Sequence, residues 1–194
     1  RLVHRVFSPL ILGADALATS ACWTLMRHVV RNVGRPGIAS MAISAIDSAL
    51  WDLKARLFGV PLVDLFGAVR NGIPIYGSGG FTSYSIQQLE AQLRGWVDRG
   101  MTRVKMKIGR DPAEDVQRVR AARAAVGPGV ELFVDANGAY SVKQAIRFSK
   151  EFDQLGVTWF EEPVSSDDLD GLRLVRQRAT GSMDIAAGEY GFEP

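Results

Sequence analysis

From residue 73 onward the apolar and polar positions follow two alternating rhythms. A short apolar run is followed by a longer stretch in which apolar side chains return every third or fourth position until a glycine ends it. The first rhythm is that of a strand buried in a parallel sheet and the second that of an amphipathic helix, so the chain predicts repeated βα units. The first run is 73–76, where Pro74 is tolerable only near a strand start, and its helix carries Ile86, Leu89, Leu93, Trp96 and Val97 on one face and closes at Gly100. The second run is 103–108, followed by Asp111-Pro112-Ala113-Glu114, which predicts a capped helix start, and by a stop at Gly127. The third is 130–134, with a helix from Ser141, Gln144 completing its cap, ending near Gly156. The fourth is 157–160, with a helix through Leu169, Leu172 and Val175, and a fifth run at 184–187 is followed only by a turn. Four βα units and a bare strand suit half a barrel or most of an open sheet equally well.

Before residue 73 the pattern changes. Residues 14–32 and 38–58 read as helices, the second with Ile43, Ile46, Leu50, Leu53 and Leu57 along one stripe, which predicts a separate helical element.

Charged residues inside or just after the predicted strands break the apolar rule. In Val104-Lys105-Met106-Lys107-Ile108, period-two alternation puts the apolar side chains on one face and both lysines on the other. Asp135 and Asn137 follow the third strand, Glu161 and Glu162 the fourth, and Glu189 the fifth. From 107 to 135 is 28 positions, from 135 to 161 is 26 and from 161 to 189 is 28, so successive units are expected to return a charged group to one level at the C-terminal mouth of the sheet. Ligands bind at that mouth in barrels and open sheets alike. A single carboxylate there could merely cap the next helix. Three in register beside two lysines instead read as a site. Carboxylates without histidine or cysteine are hard oxygen donors, suited to Mg²⁺ rather than Zn²⁺. Two lysines on one face should repel each other, lowering the proton affinity of each and making one usable as a base.

Composition removes other classes. The 23 basic and 21 acidic residues are scattered, giving a net charge of +2 and no basic stripe for a nucleic acid. No apolar run reaches the length of a membrane span. The one cysteine, Cys22, lies in an apolar setting and fits a buried thiol in a reducing, cytoplasmic environment. The chain opens without methionine and stops in mid-pattern at Glu193-Pro194, which suggests a fragment.

The segments ASMAISAIDSALWDLKARLFGVPLVDLFGA, VKMKIG, VDANGAY, TWFEEPV and AAGEYG, spanning 39–191, resemble the mandelate racemase branch of the enolase superfamily. The resemblance implies a partial (β/α)7β TIM-like barrel, its first five strands within residues 73–194, preceded in residues 1–72 by the helical part of an α+β capping domain. It implies Mg²⁺ on Asp135, Glu161 and Glu189, and Lys107 as the base. Lys105 would tune Lys107 and contact the substrate carboxylate, and Asn137 would neighbour substrate or metal. Glu162 would lie behind the ligands. The lysine base with a metal-stabilised ene-diolate is the superfamily's general chemistry. A second acid/base, commonly a His-Asp pair, is expected beyond Pro194, since His4 and His28 both precede the barrel segment. A half-barrel on its own is expected to be unstable or to aggregate.

The implied reaction is removal of the proton alpha to a carboxylate. Acid-sugar dehydration comes first, racemisation or epimerisation of a 2-hydroxy acid second, and cycloisomerisation third, because relatives that run it tend to carry aspartate where this chain has Glu189. The resemblance also implies a homo-oligomer acting on a small-molecule carboxylate. The rival from another class is a non-catalytic, metal-binding fragment.

Overall fold

The structure is a computed structural model and describes residues 1–192; Glu193 and Pro194, which the sequence reading includes in the barrel segment, lie outside the described residues. The chain forms two compact units, one holding residues 1–73 and the other residues 74–190.

The first unit is helical. A π-helical turn, Val3–Phe7, runs into α1 (Ser8–Ile11), then come α2 (Thr19–Val29), α3 (Ile38–Phe58) and α4 (Leu62–Leu65). Its core is Phe7, Met26, Val30, Ala39 and Ile43. The helix expected over 14–32 begins only at Thr19 because Asp15 folds the preceding residues into a turn, its Oδ1 accepting from the Leu17 amide at 2.9 Å. Of the expected stripe on α3, Ile43 is buried, while Leu53 and Leu57 are exposed. The short helices at 8–11 and 62–65 are absent from the sequence reading, since four residues are too few for a 3.6 period to show.

The second unit is an α/β layer with the element order β1 (Gly77–Gly79), α5 (Ile86–Val97), β2 (Arg103–Lys107), α6 (Asp115–Val126), β3 (Glu131–Asp135), α7 (Val142–Gln154), β4 (Val157–Glu161), α8 (Leu169–Arg178) and β5 (Asp184–Ala186). All neighbouring strands are parallel and stand in chain order, β1-β2-β3-β4-β5. The helix-side core joins Val104, Met106, Leu132, Val134 and Phe160 from the strands to Leu89, Leu93, Val119, Phe148, Phe152 and Val175 from the helices. Burial of this one face makes the alternation along each strand binding, because a one-residue slip would turn every core side chain outward.

The first strand departs from expectation. It is Gly77–Gly79 rather than 73–76, and Ile73 and Ile75 are exposed. Pro74 has no amide to give a ladder. The glycines win because Trp96 of α5 lies against the strand: a Cβ on Gly77 would come within 2.4 Å of the indole and one on Gly79 within 2.8 Å. The cap expected at Asp111-Glu114 is also different. Asp111 Oδ1 accepts from the Ala113 amide at 3.2 Å in a turn, and α6 starts at Asp115 with no side-chain cap. The Asp115 side chain is buried instead, accepting from the Gly109 amide at 2.9 Å and from the Tyr140 hydroxyl at 2.5 Å.

The cap expected at Ser141 forms, with reciprocal bonds between Ser141 and Gln144. Ser141→Ala is expected to lower the unfolding free energy by about 1 kcal/mol, read from the urea midpoint at constant m-value. A larger loss is expected at Arg123. Its guanidinium donates to the carbonyls of Leu155 (2.9 Å), Gly127 (2.7 Å), Val130 (2.7 Å) and Gly156 (2.8 Å), tying the end of α6 to the turn before β4. Arg123→Met keeps the apolar stem and removes the charge-assisted bonds to those carbonyls, so it should cost about 2–3 kcal/mol in the same measurement.

Candidate active site

The strand face opposite the helices carries the chemistry. Lys105 and Lys107 on β2, Phe133 and Asp135 on β3, and Trp159 and Glu161 on β4 occupy it by alternation, their strand neighbours Val104, Met106, Leu132, Val134 and Phe160 being in the core. Lys107 pairs in register with Asp135, and Asp135 with Glu161, so three charged groups lie at one level across three strands, as the spacing predicts. The interval from 135 to 161 is 26 because a β-bulge shifts the register by one residue after the Leu132–Val157 pair, which returns Trp159 and Glu161 to the site face.

Glu189 does not arrive in the expected way. The residue in register with Glu161 is Ala186, and Glu189 lies in the turn beyond β5. It nevertheless reaches the others: one oxygen from each of Asp135, Glu161 and Glu189 lies within 4.8 Å of the rest. Asp135 is 0% exposed, Glu161 is half-buried and Glu189 is exposed. Asn137 bridges the two ends of the group, its amide N–H donating to Asp135 Oδ1 at 3.0 Å and its side-chain Nδ2 to Glu189 Oε1 at 2.6 Å.

Both lysines are engaged with these carboxylates. Lys105 Nζ lies 2.7 Å from Glu161 Oε2 and 3.3 Å from Asp135 Oδ2, and Lys107 Nζ lies 2.5 Å from Asp135 Oδ2. The expectation that mutual repulsion lowers the proton affinity of each is corrected for Lys105. Burial does pull its pKa down, but the hydrogen bond to Glu161 and the charges of Asp135 and Glu161 outweigh that and hold it above the ordinary lysine value. Glu162 is pushed above the ordinary carboxylate range by burial, with the charges of Glu189, Asp135 and Glu161 adding to the effect and a bond from the Gly188 amide opposing it.

Under the charges lies an aromatic layer that the sequence reading omits. Tyr76 meets Phe133 edge-on at 5.5 Å between ring centroids, Phe133 meets Trp159 at 5.8 Å, and Lys105 Nζ stands 5.3 Å from the Tyr76 ring centroid. Trp159 Nε1 donates to Glu161 Oε2 at 3.0 Å. The signal for Trp159 was present, since it sits two residues before Glu161 and shares its face. Tyr76 gave none, because the first strand is displaced from 73–76 to Gly77–Gly79 and Tyr76 falls just before it.

An all-carboxylate set of three oxygens this close together fits a small divalent cation. Without one, the negative charges are offset by the two ammonium groups. Among the described residues this is the acidic cluster with that geometry, and no described helix is long and apolar enough to cross a membrane.

Residues 1–67 match the family model for the mandelate racemase / muconate lactonizing enzyme N-terminal domain, and residues 88–194 that for the enolase C-terminal domain-like family. A 3,6-anhydro-alpha-L-galactonate cycloisomerase of Streptomyces coelicolor is 39% identical over 181 residues, covering 92% of this chain and 49% of that protein. An L-talarate/galactarate dehydratase of Salmonella typhimurium is 37% identical, covering 92% of this chain and 45% of that protein. Among solved structures, a mandelate racemase/muconate lactonizing enzyme-like protein from Rubrobacter xylanophilus is 55% identical with a TM-score of 0.86, covering 92% of this chain and 50% of that one. A racemase from Streptomyces coelicolor A3(2) with bound magnesium is 36% identical with a TM-score of 0.86, covering 97% of this chain and 53% of that one. The chain thus spans about half the length of these relatives. With two family models matched in order and a five-stranded parallel sheet carrying the carboxylates, the chain belongs to the mandelate racemase/muconate lactonizing enzyme branch of the enolase superfamily.

Proposed function

We propose that the protein uses Mg²⁺ held by Asp135, Glu161 and Glu189 to remove the proton alpha to a substrate carboxylate, and that its overall reaction is dehydration of an acid sugar. In this reading residues 1–72 are the C-terminal part of a capping domain and residues 73–194 the first part of a (β/α)7β barrel. The observation that carries it is the convergence of three carboxylate oxygens within 4.8 Å on the strand face that holds two lysines. The bound cation would supply positive charge against the negative charge that builds on the substrate's carboxylate oxygens.

Lys107 takes the alpha proton at Nζ. Its present partner, Asp135 at 2.5 Å, is one of the residues that would hold the cation; with the cation there that ion pair would be released, and Lys107 would act as the neutral amine. Lys105 is 6% exposed on the aromatic layer and adds fixed positive charge for the substrate carboxylate. Asn137 holds the Asp135 and Glu189 carboxylates and neighbours the substrate. Loss of the beta hydroxyl as water, with a proton from a general acid, leaves an enol that becomes the keto acid. Racemisation is the second reading, favoured by the likeness to a racemase with bound magnesium. It shares the first step and differs in returning the proton to the opposite face. A small-molecule carboxylate as partner, a homo-oligomeric state and a cytoplasmic location complete the proposal, the last supported by the single buried cysteine.

The test is incubation with Mg²⁺ and a panel of sugar acids and 2-hydroxy acids in D₂O. The expected product is a 2-keto-3-deoxy acid carrying solvent deuterium at the carbon that lost the hydroxyl. Deuterium at the alpha carbon without loss of water selects the racemase reading. Metal binding with no exchange into any acid selects the non-catalytic chain.

A further inference from the structure

Two residues other than glycine have left-handed backbone among the described residues, Asn137 and Glu162, each with φ 45°. That conformation is unfavourable for a side chain with a Cβ and persists where surrounding contacts over-determine it. Each follows a proposed cation ligand on the same loop, Asn137 after Asp135 and Glu162 directly after Glu161.

Glu162 ties three loops together. Its N–H donates to the Ala186 carbonyl at 2.8 Å, its carbonyl accepts from the Gly138 N–H at 2.8 Å, and its side-chain Oε1 accepts from the Gly188 N–H at 2.9 Å. The side chain is 0% exposed, and its other oxygen, Oε2, has no hydrogen-bond partner. A residue kept only to fill space there would be apolar, since a buried carboxylate with one orphaned oxygen is costly. What the carboxylate does provide is the bond to Gly188. That glycine immediately precedes Glu189, which lies past the end of β5 and has no strand ladder to hold it.

We infer that Glu162 is a positioning residue for the cation site: by accepting the Gly188 N–H it anchors the backbone one residue before Glu189, so that this carboxylate meets those of Asp135 and Glu161. The inference rests on the reading of the three carboxylates as a cation site. Asn137 holds the Glu189 carboxylate and Glu162 holds the backbone at the preceding Gly188, so a ligand from an unpaired turn is held at its tip and just before its root. Outer partners of this kind set how well ligands converge before the metal arrives.

The experiment uses the full chain with Mn²⁺ as probe, free Mn²⁺ being counted by its EPR signal, and thermal unfolding without metal as the control for folding. Glu162→Met keeps the volume and removes the acceptor; Glu162→Gln keeps an acceptor oxygen. Glu162→Met is expected to weaken Mn²⁺ binding by about 10- to 100-fold, and Glu162→Gln to restore most of that affinity. A role in stability alone would move the unfolding temperature and leave the Mn²⁺ affinity in place. Wild-type affinity in Glu162→Met, or equal weakness in Glu162→Gln, overturns the inference. Should Glu162→Met not fold, amide hydrogen exchange of Gly188 in the metal-free wild type decides instead: slow exchange is expected, and exchange at the rate of a free peptide overturns the clamp. A wild-type chain that binds no Mn²⁺ while the Gly188 amide stays protected overturns the cation reading itself.

Discussion

Lys107→Ala is expected to lower the rate of alpha-proton exchange by about 10²–10⁴-fold, the usual range for loss of a positioned general base, while cation binding stays the same or tightens. The second half of that expectation comes from the geometry. Lys107 Nζ sits 2.5 Å from Asp135 Oδ2, so in the metal-free chain the ammonium is paired with a carboxylate proposed to hold the cation. Removing it removes a competitor. A loss of activity caused by a damaged site would weaken Mg²⁺ binding together with exchange, whereas loss of a base separates the two. Lys107→Arg should be as inactive as alanine, because a guanidinium keeps its proton at any working pH. The assignment fails if Lys107→Ala retains exchange within tenfold of the wild type. It also fails if Lys105→Ala gives the greater loss in exchange with unchanged substrate affinity, since Lys105 would then be the base.

The second large effect is expected at Asp135. It is 0% exposed and touches both lysines, at 2.5 Å and 3.3 Å. Asp135→Asn keeps the shape and removes one of three anionic donors, so Mg²⁺ affinity should fall by more than about 100-fold, beyond the loss typical of residues that only support a ligand. Stability should respond differently in the two states. Breaking a buried ion pair costs about 3–5 kcal/mol when the partner is left alone, but Lys105 keeps Glu161 at 2.7 Å and Lys107 is partly exposed to water. The metal-free variant should therefore lose less than that range. With Mg²⁺ the contrast widens, because a ligand at 100 times its Kd adds about 2.7 kcal/mol to the wild type and almost nothing to a chain that does not bind it. Calorimetric unfolding with and without Mg²⁺ reads both. Equal Mg²⁺-induced shifts in the two proteins would remove Asp135 from the ligand set.

Much of the site was legible because strand alternation and strand ends are local properties. Val104-Lys105-Met106-Lys107-Ile108 can present its lysines to only one face, whatever the rest of the chain does. Asp135 and Glu161 follow apolar runs that must lie side by side, so units of similar length predict their arrival near one level, and the bulge in β4 completes the register. The charge state of Lys105 is not legible along β2, because the carboxylates that hold its proton lie on other strands. Their 2.7 Å and 3.3 Å approach cannot be counted from positions along β2.

The fold divides in the same way. The periodicity of apolar positions placed α5, α7 and β2 to β5 within a few residues, and the quoted motifs identified the superfamily, because a period and a motif are both carried by neighbouring residues. The tertiary structure alone decided that Gly77–Gly79 and not the apolar run before it would be the first strand, since Trp96 leaves no room there for a Cβ. It alone decided the bulge that returns Glu161 to the site face, the aromatic layer beneath the lysines, and the bond from Gly188 to Glu162 that brings Glu189 in from beyond its strand. Alternation selects a face, but level and approach depend on packing between segments distant in the chain, and that is where the sequence by itself stops.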